Sequence, residues 1–145
     1  MHTTTAPTDP IATIAATVVA EVDSSQTLRA VAEELVADEI GAVVVRVPGR
    51  PSGLISERDL AAVVAAGGEP GTVQAVDLMT TELVTAAPGD SIAEVGARML
   101  DAGIRHVVLH DGEQVVGIVS IRDVLGVLLS PWTARTTGPT RGGRQ

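Results

Sequence analysis

Two serines stand three residues ahead of an aspartate, Ser56 before Asp59 and Ser120 before Asp123. Each pair sits in a phrase the chain writes twice, "GLISERDL" from Gly53 and "GIVSIRDV" from Gly117. Ser-x-x-Asp is a capping box: the hydroxyl and the acid satisfy backbone N–H groups that a helix start leaves unpaired, and the acid faces the positive end of the helix dipole. That requirement alone selects these residue types at this spacing. A helix start also favours a phosphate, so a cap and an anionic ligand are compatible. Arg58 and Arg122 follow the serines by two positions and face either a ligand or solvent. Arg105-His106 is a basic pair at the entry to an expected strand. Taken alone, it reads as a solvated strand end beside an ordinary half-buried histidine.

Other chemistries find no support. His106 and His110 are four apart, a metal-pair spacing only on a helix, whereas "RHVVLH" is a β-branched run leading into a turn. The chain has no Cys, which excludes disulfides, thiol nucleophiles and thiolate metal sites. "AGGEPG" is neither a Walker loop nor a GxGxxG that opens a helix after a strand. No nucleophile, base and orienter assemble from the sparse Ser, His and Asp, so no enzyme is expected.

These residues must be positioned by repeated elements. Shifted by 64, residues 11–65 align with 75–129 without a gap. Each copy opens with a short strand, "TVVAEV" or "ELVTA". A helix follows, with an apolar face of Leu28, Val31, Leu35 and Val36 in one copy and Ile92, Val95, Met99 and Leu100 in the other. Ser91 and Glu94 form a capping box at the second of these helices. Two β-rich runs then turn around Pro48-Gly49 and Asp111-Gly112, and a last helix begins near Ser56 or Ser120. The order is β-α-β-β-α twice, a mixed α/β (α+β) class whose two halves bury a face against each other. The expected boundaries are a disordered tail at 1–9, repeats at 10–66 and 74–130, a linker at 67–73 and a disordered tail at 131–145. With Trp132 the sole aromatic, the core must be Val, Leu, Ile and Ala.

The net charge is −8, with Arg the only cation besides histidine. Arg135, Arg141 and Arg144 lie after Ser130 with no acid beside them, which leaves the remainder at −11. So acidic a body repels nucleic acid, while a small phosphate responds only to charges within a Debye length of about 8–10 Å. No apolar run reaches the roughly 18–20 residues of a membrane span, and "MHTTTAPTDP" lacks the features of a secretory signal. A cytoplasmic protein without a membrane partner is expected.

The wording "VDLMTTELVTAAPGDSIAEVGARMLDAGIRHVVLHDGEQVVGIVSIRDV" in the second copy, and "VDSSQTLRAVAEELVADEIGAVVV…GLISERDL" in the first, resembles a tandem pair of CBS domains, the regulatory modules named after cystathionine β-synthase. The resemblance covers about residues 11–129, although the first copy lacks the "DLMT" opening of Asp77–Thr80. It implies two repeats packed pseudo-symmetrically, sheet to sheet, with two clefts that hold AMP, ADP, ATP or S-adenosylmethionine. It further implies that Asp59 and Asp123 accept hydrogen bonds from ribose hydroxyls beside Ser56 and Ser120, and that Arg105 and His106 reach phosphate. Because Gly41-Ala42 replaces that basic pair in the first copy, the Asp123 cleft is expected to be the tighter one for phosphate. The implied function is a stand-alone, non-enzymatic sensor that binds an adenosine ligand and signals to an unidentified partner protein. A homodimer through the closing helices "AAVVAA" and "VLGVLL" is expected. The rival readings are a ligand-free oligomerisation or docking module and, more remotely, a nucleotide-processing enzyme.

Overall fold

The computed structural model describes residues 4–37, 39, 41–50 and 52–129. The tail expected at 131–145 lies outside the described residues. The first repeat contains β1 (Glu21–Asp23), α1 (Leu28–Ala37), β2 (Ala42–Arg46), β3 (Gly53–Ser56) and α2 (Glu57–Ala65). A short helix α3 (Ala75–Leu78) leads into β4 (Thr85–Ala86), α4 (Ile92–Ala102), β5 (His106–Asp111), β6 (Gln114–Ser120) and α5 (Ile121–Leu128). In each three-stranded sheet the middle strand pairs parallel with the first and antiparallel with the third. This is the β-α-β-β-α order, made twice.

The middle strand of each sheet is buried on both faces. Val43, Val45 and Ile55 face one cluster with Val31 and Leu35 of α1, and Val107, Leu109 and Val119 face the other with Val95 and Met99 of α4. Strand alternation turns Ala42, Val44, Val108 and Ile118 to the opposite faces, yet these are also buried, because the two sheets cover each other. The helices place Val36 and Leu100 differently from the apolar faces expected of them: they are 87% and 85% exposed. Eight residues make about 2.2 helical turns, which carries each side chain roughly 80° past the first position of its face.

The opening strands are shorter than "TVVAEV" and "ELVTA" because the segments before them cross to the other repeat. Ala16 pairs with Ile118 of β6 through hydrogen bonds of 2.9 and 3.0 Å, and Thr80 pairs with Leu54 of β3 through two of 2.9 Å. Ile11 in a 3-10 turn at Ile11–Thr13 completes the second repeat's core, while Ala75, Leu78 and Met79 complete the first's. The close approach explains the repeated glycines. A Cβ on Gly117 would lie 3.1 Å from the Ala16 carbonyl oxygen, and one on Gly53 would lie 2.5 Å from the Met79 sulfur.

Residues 6–9, assigned from the sequence to a disordered tail, form a turn that docks on the second repeat. The Asp9 carboxylate accepts from the Ala6 N–H at 2.9 Å, and the carbonyls of Asp9 and Pro7 accept from the N–H groups of Ile92 and Ala93. Those donors open α4 and have no partner within the helix. Pro70 and Val73 of the linker serve Arg29 and Leu28 of α1 in the same way. Among the described residues no helix is long and apolar enough to cross a membrane.

Candidate functional site

Both repeated serines are N-caps. Ser56 Oγ accepts from the Asp59 N–H at 3.2 Å, while the Ser56 N–H and Oγ–H donate to Asp59 Oδ2 at 2.8 and 2.9 Å. Ser120 and Asp123 repeat the arrangement at 3.3, 3.4 and 3.0 Å. The bonds fall on Oδ2 in both cases. Oδ1 of each carboxylate is left outside the cap and open to a ligand donor. The cap and the ligand contact are compatible because they use different atoms.

A cavity of about 370 Å³ opens between the repeats at Ser56, Arg58 and Asp59. The opposite wall comes from the second repeat: Arg105 and His106 at the start of β5, with Leu83, Val84 and Ile104 as apolar lining. This overturns the expected partnership of Arg105 and His106 with Asp123. Within its own repeat Arg105 is tied by its backbone, since its carbonyl accepts from the Ile121 N–H at 2.7 Å and fastens the start of α5. Its side chain nevertheless lines the cavity of the other repeat's aspartate, because sheet-to-sheet packing sets the strand entry of one repeat against the helix entry of the other. Ser120, Arg122 and Asp123 line neither this cavity nor the second one described below.

The cavity's lining carries Arg58 and Arg105 against Glu57, Asp59 and Glu82. Gly41 fits tightly there, with φ of +83° and a Cβ position 3.0 Å from Glu57 Oε1. Any side chain would press on that carboxylate from a left-handed backbone. A neutral or singly phosphorylated ligand suits this balance, and its phosphate would meet two guanidiniums. His106 and His110 lie on β5 four residues apart, about 13 Å in an extended strand, and line different cavities. Among the described residues no group of three His, Asp or Glu is placed to hold a metal ion.

Sequence reasoning missed Glu57, Glu82, Leu83 and Ile104 as lining residues. The repeat offset held a signal: Thr80 to Val84 correspond to Ala16 to Ala20, the segment that leaves its own repeat.

The family model for the CBS domain matches residues 6–66 and 75–130. The chain is 32% identical over 108 residues to the CBS domain-containing protein YhcV of Bacillus subtilis, covering 74% of this chain and 77% of that protein. A CBS domain protein from Pyrobaculum aerophilum, solved in complex with AMP, superimposes with a TM-score of 0.75 at 24% identity, covering 86% of this chain and 98% of that one. A hexameric CBS-CP12 protein from bloom-forming cyanobacteria gives a TM-score of 0.74 at 22% identity over 80% of this chain and 66% of that one.

Proposed function

Because the chain belongs to the CBS-domain family and carries two such domains in tandem, we propose that it is a non-enzymatic regulatory module whose Asp59 cavity takes an adenosine-containing ligand. The observation that carries this reading is the convergence in one cavity of a capped carboxylate with a spare oxygen, two guanidiniums and an apolar wall. Asp59 Oδ1 accepts from a ribose hydroxyl, Arg58, Arg105 and His106 face the phosphate, and Leu54, Leu83, Val84 and Ile104 pack the base. The volume suits a small molecule, since ligand cavities start near 300 Å³. The balance of two guanidiniums against three carboxylates favours AMP or S-adenosylmethionine over ADP and ATP. AMP in the Pyrobaculum relative supports the ligand class.

The symmetry-related cleft at Ser120, Arg122 and Asp123 is the poorer phosphate site. By the pseudo-symmetry its opposing strand entry is Gly41-Ala42, which supplies no charge. Occupancy of the Asp59 cavity reaches a partner protein through differential affinity for two shapes of the assembly. That assembly is a homodimer joined through α2 and α5, where Val64, Leu125 and Leu128 are 53%, 44% and 42% exposed.

Native mass spectrometry of freshly purified protein, followed by thermal shift with AMP, ADP, ATP and S-adenosylmethionine, tests the reading. Ligand at a hundred times Kd stabilises by about 2.7 kcal/mol, a shift of several degrees for a chain of this size. No bound nucleotide and no shift with any of the four would favour a ligand-free docking module instead.

A further inference from the structure

A second cavity, of about 760 Å³, lies between the hairpin turns of the two repeats. It is lined by Arg50 and Ser52 from the first hairpin, His110 and Glu113 from the second, and Thr81 and Thr85 from the segment before and in β4. The segment from Thr80 to Thr85 separates it from the Asp59 cavity. Thr80, Glu82 and Val84 line the first cavity, Thr81 and Thr85 line the second, and Leu83 touches both.

The repeat offers an internal comparison. Shifted by 64, His110 corresponds to Arg46, Thr85 to Glu21 and Ala87 to Asp23. In the first repeat the cation is held by the chain's own acids: Arg46 Nη1 donates to Glu21 Oε1, and Nη2 donates to Asp23 Oδ1 at 2.8 Å. These bonds, that with Asp23 first, raise the Arg46 pKa above its ordinary value. In the second repeat both acids are gone, replaced by a hydroxyl and a methyl. Arg50 comes from the other hairpin to join His110, and neither side chain makes an ion pair with another described residue.

We propose that this trough binds a small oxyanion, which takes the place that Glu21 and Asp23 fill in the first repeat. Arg50 supplies the charge-assisted bond, His110 and the hydroxyls of Ser52, Thr81 and Thr85 supply further donors, and Glu113 limits the affinity by repulsion. The oxygens belong to a phosphate or a carboxylate, and nothing in the site depends on the nucleotide reading.

Amide shifts of the 15N-labelled chain, titrated at constant ionic strength with inorganic phosphate and separately with succinate, test the proposal. Ser52, Thr85 and Gly112 should shift along a saturable curve, and the tighter of the two probes identifies the source of the oxyanion. Arg50→Ala should weaken binding by about 10- to 150-fold, the worth of one charge-assisted bond. Glu113→Gln should tighten it several-fold, and Arg105→Ala should leave it unchanged. Arg50 and Glu113 are exposed turn residues, so these changes remove charge without touching the core. Shifts that never saturate, that centre on Ser56 and Arg105, or that persist unchanged in Arg50→Ala would overturn the proposal.

Discussion

Arg105 and Arg122 belong to the same repeat, and both stand close in sequence or in strand register to Ser120 and Asp123. Only Arg105 lines the cavity with Asp59. Arg105→Ala should therefore weaken AMP binding by about 10- to 150-fold, whereas Arg122→Ala should change it little; isothermal titration of both variants checks this. Equal losses would mean that the phosphate is not held from across the sheets. The sequence singled out Ser56, Arg58, Asp59 and Arg105 of the residues that line this cavity, but not Glu57 or Glu82. The grouping was not legible, because a repeat offset pairs residues within a copy and says nothing about which copy faces which. The two glycines tell the same story. Each "GLIS" or "GIVS" needs a glycine because the other repeat's opening segment passes over it. Gly117→Ala, whose added methyl meets a backbone carbonyl, should cost about 1–3 kcal/mol and lower the melting temperature by several degrees. An unchanged melting temperature would contradict the close approach at Ala16.

At the scale of elements, the helices were legible from capping boxes and 3.6-residue periodicity, and the hairpins from alternating runs around Gly49 and Gly112. The crossing segments were not, because their pairing partners, Ile118 and Leu54, lie in the other repeat and leave no local pattern. The loop into α4 shows how such a crossing is anchored. Asp90 Oδ2 accepts from the Ala87 N–H at 3.0 Å and from Arg98 Nη1 at 2.9 Å, while the Asp90 carbonyl accepts from the Ile11 N–H at 2.7 Å. The Ala87 bond first, and Arg98 second, hold the Asp90 carboxyl below its ordinary 3.8. A carboxyl depressed by folding contributes stability that is complete above its unfolded pKa and is lost as pH falls through the folded one. The melting temperature of Asp90→Ala should therefore lie below that of the parent at pH 7, and the gap should shrink as pH falls below about 4. A gap that stays constant down to pH 2 would show that the ionised carboxylate contributes nothing there.

The whole molecule is two copies of one unit, each finished by the other's opening segment, with an outer surface that α2 and α5 leave partly apolar. The charges of these helices are confined to their first turns, so the exposed Val64, Leu125 and Leu128 beyond them are suited to a second copy of the same chain. Light scattering at tens of micromolar should give about twice the 14.8 kDa of one chain. Leu125→Asp combined with Leu128→Asp should return a folded monomer, since both side chains point outward. A parent that is already monomeric would remove the dimer, and a sixfold mass would place the chain with the hexameric relative instead.

On the reading proposed above, one cavity built from both repeats around Asp59 holds the adenosine ligand. Calorimetry with AMP on Asp59→Ala and Asp123→Ala tests it most directly, because the two variants lose the same kind of cap and differ only in the cleft they empty. Asp59→Ala should lose about 10- to 150-fold in affinity, the worth of one charge-assisted bond, while Asp123→Ala retains the strong site. A parent-like affinity in Asp59→Ala, or a larger loss in Asp123→Ala, would contradict the account.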